Sequence, residues 1–360
     1  MNRQDIQGIV LHGYRHERFA RYHLLTFGAG EPRRALTRLV TGVSSADEPR
    51  SEIRRNLALT ASGLRALGLG DQEMAQFSRE FRQGMAHPER SLALGDVADE
   101  SPEHWDFGGP NTPPLDALWM TFADSEAQLD EVSGQHERVF ARFGLTAYVQ
   151  DAQLSPELRD HLGYQMKPPL DTRGAARRRA TRAPMGEFVL GERDAVGERT
   201  RGPLVPIKFS QRPMPSWVRA KNALNFGENG SYLVLRKLQL NTLAGRRDDL
   251  ALAEHVRRAR GPEGAIEHRL IRRSRPYGGV SDEARGLLFV ALNADIRRQF
   301  ELVQQSYFNA PLVAASSEVD PFVGRVPGRP SEHRLARLRG GGYFFLPGLR
   351  ALNYLAESGG

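Results

Sequence analysis

Strand-like runs rich in branched and aromatic residues alternate with runs of helical period twice along this chain, and that rhythm limits its fold more than any other feature. In the first half, residues 5–11, 22–27, 56–60, 115–122 and 146–149 read as strands, because such side chains suit a pleated, half-buried surface. Between them, apolar spacing predicts helices over 32–40, from 62 or 63 to 69, over 72–85 with Asp71 as N-cap, and over 125–143. The second half repeats the pattern, with strands over 231–235, 286–292 and 342–347 and helices over 250–260, 295–307 and 349–355. Strands so few, each followed by a helix, predict an α+β fold: antiparallel sheets with helices packed on one face.

The rhythm lapses between 171 and 202 into Gly, Pro and Arg, including Arg177, Arg178 and Arg179. The expected organisation is therefore a first module over 1–170, a connecting loop over 171–202 and a second module over 203–360. Zero cysteines exclude a disulfide framework, iron–sulfur ligation and a thiolate-held haem, leaving His, Tyr, Met or carboxylates for any metal. Four of the 50 basic residues are lysines, so the formal charge of +7 is an arginine surplus. Without interleaved aromatics that surplus reads as a solvated surface rather than a nucleic-acid patch. No apolar run reaches membrane-spanning length and the first residues lack a signal-peptide core, so no membrane partner and a cytoplasmic location are expected.

The clearest candidate for chemistry is His255, on the predicted helix 250–260 and followed by Arg257 and Arg258. By itself a helical histidine is more often a packing residue than a ligand. Its surroundings carry more information. Ala253-Glu254-His255-Val256-Arg257-Arg258-Ala259, then His268-Arg269-Leu270-Ile271-Arg272-Arg273-Ser274-Arg275-Pro276-Tyr277-Gly278, then Arg285-Gly286-Leu287-Leu288-Phe289 stand in that order. Weaker blocks accompany them, among them Asp5-Ile6-Gln7-Gly8, Glu80 to Met85, Leu94-Gly95-Asp96, Gln299 to Gln305 and Arg339 to Gly348.

In these blocks the chain resembles the dye-decolourising peroxidases. The resemblance implies tandem ferredoxin-like modules, a b-type haem in the second of them, His255 as its axial iron ligand and Arg272 as the distal arginine. Leu287 and Phe289 would line the distal face, and His268 would be only a neighbour in the motif. A ligand imidazole needs an acceptor for its other N–H, and Asp295 and Glu254 are the candidates in the sequence. The implied activity is oxidation of a small organic substrate by hydrogen peroxide, and assembly of several copies is left open.

Two departures qualify this. The family's distal motif is Gly-x-x-Asp-Gly, whose aspartate moves a proton between the peroxide oxygens. Here Gly163 is followed by Met166 where the aspartate should stand and by Lys167 in place of the second glycine. Asp171, His161 or an arginine-held water are the candidate substitutes. Between Leu238 and His255 a long insertion usual in the family is reduced to 239–254. Two alternatives follow: a specialised haem enzyme of secondary metabolism with weak generic peroxidase activity, or a non-catalytic haem-binding or haem-free protein. Trp105, Trp119 and Trp217 could relay electrons but read first as packing residues. His12 and His16 are poor candidates for a metal pair, because Gly13 and Tyr14 argue against a helix there. The Gly-rich run 339–342 is expected to precede a strand, which argues against a phosphate cradle.

Overall fold

The computed structural model describes residues 1–155, 183–205, 225–240, 249–260, 266–279, 284–310, 319–325 and 335–357. The first half holds β1 (Phe19–Thr26), β2 (Ile53–Leu59), β3 (Ala117–Ala123) and β4 (Thr146–Gln153). Its helices are α1 (Gly8–Leu11), α2 (Pro32–Leu39), α3 (Ala61–Ala66), α4 (Asp71–Met74), α5 (Arg79–Gln83), α6 (Pro88–Leu94) and α7 (Glu126–Arg142). The second half holds β5 (Ser231–Leu240), α8 (Asp249–Arg260), β6 (Ile271–Arg272), β7 (Arg275–Tyr277), β8 (Gly286–Asn293), β9 (Ala336–Leu346) and α9 (Leu349–Glu357). Between β8 and β9 a wide-wound helix of π type runs through Ile296–Glu301 and Val303–Phe308.

Among the described residues, nine strands join one antiparallel sheet in the order β4-β1-β3-β2-β9-β5-β8-β6, with β7 also pairing β8. Each half thus orders its strands fourth, first, third, second, the ferredoxin-like winding. The two halves meet where β2 pairs β9, at Leu59 and Phe345. Period-two alternation separates two apolar faces. One buries Tyr22, Leu24, Met120, Phe122, Leu233, Leu235, Leu288 and Phe344. The other buries Leu25, Trp119, Val234, Leu287, Tyr343 and Phe345 beneath the helices.

Local chemistry explains most boundaries. Ser125 caps α7 by accepting from Gln128 N, and Thr60 caps α3 by accepting from Gly63 N. Three expectations need correcting. Residues 8–11 form one helical turn rather than a strand, because Ile9 and Val10 are driven into the core with Ile6. The helix expected over 72–85 is two short ones, since Ser78 opens α5 with its own cap, and Gly70, not Asp71, precedes α4. The Gly-rich run 339–342 lies inside β9, where Gly341 brings the strand against Met85 and Gly108, at φ +77°, brings a loop against Gly341. The proposed module boundary at 170 lies outside the described residues, as do Arg177, Arg178, Arg179 and Trp217. Among the described residues no helix is long and apolar enough to cross a membrane.

Beneath α7, Trp119 is fully buried and its indole N–H donates to His136 Nδ1 at 3.2 Å. Burial, with the charges of Arg55 and His23 adding to it, pushes His136 down to about 3. His23 is lowered too, chiefly by burial and against the pull of Glu137. Because His136 is neutral in the fold but titrates near 6.5 when unfolded, its contribution is intact above that pH. It is lost progressively as pH falls toward 3. Between pH 6.5 and 5, urea unfolding of the wild type should lose about 2 kcal/mol more than that of His136→Gln, at about 1.4 kcal/mol per pH unit. Equal losses in the two proteins would contradict this.

Candidate functional site

His255 lies on α8 with its side chain 12% exposed, and its Nδ1 is 2.8 Å from Asp320 Oδ2. The ring stacks on Phe308 with centroids 5.0 Å apart and an interplanar angle of 13°, and meets Phe322 edge-on at 5.3 Å. Asp320 is itself fully oriented. Its Oδ1 accepts from Phe322 N at 3.0 Å and Val323 N at 2.9 Å, and its own N–H donates to Phe308 O. A buried carboxylate held this way fixes both the tautomer and the direction of the imidazole.

This corrects the sequence reading of the acceptor. Asp295 caps the π-type helix by accepting from Arg298 N, and Glu254 is taken up by Arg257 and Arg258 on its own helix. The acceptor is Asp320, 65 positions from His255. An Asp-Pro pair at 320–321 is a turn signal, but nothing in it marks a partner for a distant histidine.

The other predicted residues gather on the sheet. Arg272 is exposed on β6 and pairs with Ala291, while Leu287 and Phe289 alternate with it along β8, so all three share one face. Phe289 lies 6.2 Å from Phe300 of the π-type helix. That helix therefore spans the gap between the two groups, touching Phe289 near its start and His255 at its end. His268 is occupied elsewhere: its Nδ1 is 2.8 Å from Arg298 O. The distal segment with His161, Gly163, Met166, Lys167 and Asp171 lies outside the described residues.

On the opposite face, Arg273 donates to Ile9 O at 2.7 Å and Val10 O at 2.9 Å, and Arg275 to Arg18 O and Tyr14 O at 2.8 and 2.7 Å. Arg275 also lies over the Phe122 ring at 4.7 Å. Burial pushes both guanidinium groups down to about 10, so they remain charged at neutral pH. These bonds fasten β7 and the end of β6, which carries Arg272, to α1 and the residues after it. Arg275→Ala should cost about 3–6 kcal/mol in urea unfolding, at about 1.5–3 for each hydrogen bond from a charged group. A loss below about 1 kcal/mol would mean that the freed carbonyls are hydrated.

Among the described residues no group of three or more His, Asp or Glu side chains converges to hold a metal ion. A lone imidazole on a buried carboxylate, walled by two phenylalanines, instead suits a metal that arrives inside a macrocycle with its own equatorial nitrogens. The donor set on this side fits a haem.

A family model described as Dyp-type peroxidase, C-terminal, matches residues 245–328, the stretch from α8 through the Asp320 turn. A multifunctional dye peroxidase of Amycolatopsis sp. is 26% identical over 132 residues, covering 27% of this chain and 28% of that protein. The chain thus matches well under a third of that curated relative's length. A decolorizing peroxidase from Auricularia auricula-judae superposes with a TM-score of 0.72 at 18% identity, covering 99% of this chain and all of the other. The DyP-type peroxidase of Anabaena sp. does so with a TM-score of 0.71 at 19% identity, over 98% of this chain and 94% of the other. The second half thus carries a segment that matches the C-terminal model of Dyp-type peroxidases, on a fold that is similar from end to end to solved peroxidases of that type.

Proposed function

We propose that this protein binds one b-type haem through His255 and uses hydrogen peroxide to oxidise a small organic substrate. The observation that carries the reading is the His255–Asp320 pair at 2.8 Å inside the family-matched segment. When bound, the haem supplies the redox chemistry that passes the oxidising equivalents of peroxide to the substrate. Asp320, by accepting the Nδ1 proton, holds the ring in place and makes its Nε2 a stronger donor toward iron. Arg272, always charged, favours the negative charge that grows on oxygen as the peroxide bond breaks. Leu287 and Phe289 supply apolar wall on the same face and exclude water.

Met166 favours a second reading beside the first. A thioether neither takes nor gives a proton, so generic peroxidase turnover is low and the enzyme is specialised for a substrate of secondary metabolism. The test is direct. Protein purified after expression with haem supply should show a Soret band and oxidise a phenolic or dye reductant with peroxide. A purified, folded protein without a Soret band overturns the proposal.

A further inference from the structure

The turn that carries Asp320 is fastened from the first half of the chain. Arg325, 2% exposed, donates from Nε and Nη2 to the two oxygens of Glu100 at 3.0 and 2.9 Å, and its Nη1 is 3.5 Å from Asp96 Oδ1. Glu100 and Asp96 are each 1% exposed and lie in the segment between α6 and β3. Asp96 is shared with the buried Arg236 of β5, and Glu100 also accepts from Leu338 N of β9 at 2.5 Å. Asn309, at the end of the π-type helix, accepts from Arg325 N and donates to Leu94 O. Gln304 donates to Val323 O within the turn.

Two carboxylates and two guanidiniums withdrawn from water are costly unless their geometry is closely satisfied, and they hold firmly when it is. Arg325 stands only five positions after Asp320. Along that stretch the Gly324 N–H closes on Asp320 O, and the Phe322 and Val323 N–H groups close on its side chain. A shift of the Arg325 anchor therefore moves the carboxylate that faces His255.

We propose that Glu100 and Asp96 are positioning residues for His255, acting through Arg325 and the 319–325 turn, so that the first half of the chain sets the direction of the imidazole in the second. The inference gives His255 its role from the proposed haem function, but the His255–Asp320 hydrogen bond can be read whether or not haem binds.

The test uses the full chain, expressed without added haem, labelled with 15N-histidine and followed by NMR. In the wild type His255 should show a single Nδ1–H tautomer with a slowly exchanging Nδ1 proton. Asp320→Asn removes this directly and serves as the reference. In the charge-free pair variant Glu100→Leu/Arg325→Leu, the Nδ1 proton of His255 should exchange about tenfold faster, as one hydrogen bond to a charged group weakens. The Nε2–H tautomer should then appear, while the His136 signals stay fixed. Arg325→Lys should give an intermediate result. If the pair variant does not fold, the same readout on the isosteric Glu100→Gln decides. An unchanged tautomer and exchange rate for His255 in a folded variant overturns the proposal, and haem binding that fails while the tautomer shifts as described overturns only the function.

Discussion

His255→Ala should abolish the Soret band of protein expressed with haem, while His268→Ala should leave it. The two histidines sit in neighbouring family-like blocks, yet their side chains are engaged in different ways. His255 faces a buried carboxylate and two aromatic rings, the setting of a ligand imidazole. His268 spends Nδ1 on a backbone carbonyl of the π-type helix and lies 3.6 Å from Glu267 through Nε2, the setting of a structural residue. Loss of the proposed axial ligand should cost more than the about 10–100-fold in affinity expected when a supporting group is removed, which is the effect predicted for Asp320→Ala. Haem titration of the purified variants measures both. Retention by His255→Ala with loss in His268→Ala would exchange the roles of the two segments.

The second large effect is a gain. Met166→Asp combined with Lys167→Gly should raise peroxide-dependent dye oxidation by the haem-loaded protein about 10²–10⁴-fold, the usual worth of a positioned acid–base group. The increase should fall on kcat, because the added carboxylate acts on the proton that must cross between the peroxide oxygens and not on substrate binding. Unchanged turnover in a variant that retains haem would detach residues 160–169 from the distal motif they resemble. It would leave the proton to Asp171, His161 or a water held by arginine.

Side-chain period carries through the interior of an element and fades where pairing takes over. Helix α7 is legible from Ser125 onward because cap and apolar stripe agree. Strands β5 and β9 run on through Arg236, Lys237, Arg337 and Gly340, residues that suggest a loop, because the ladder joins backbones and tolerates charged or absent side chains. The opposite failure occurs at Ile9 and Val10, whose preference for strands yields to burial in a single helical turn. At the candidate site, the histidine and the arginine were legible as family-like blocks. Asp320 was not, since its contact with His255 is made by folding alone and leaves no spacing to read. The ion pairs that hold its turn join residues more than two hundred positions apart.

The repeated strand order builds the two halves on one plan, and in the first of them α7 covers the sheet. The space beneath α7 is plugged by the indole of Trp119, the His136 ring and Phe140. No room is left there for a macrocycle, so if the proposed haem is bound, a saturated preparation should contain a single porphyrin for each polypeptide.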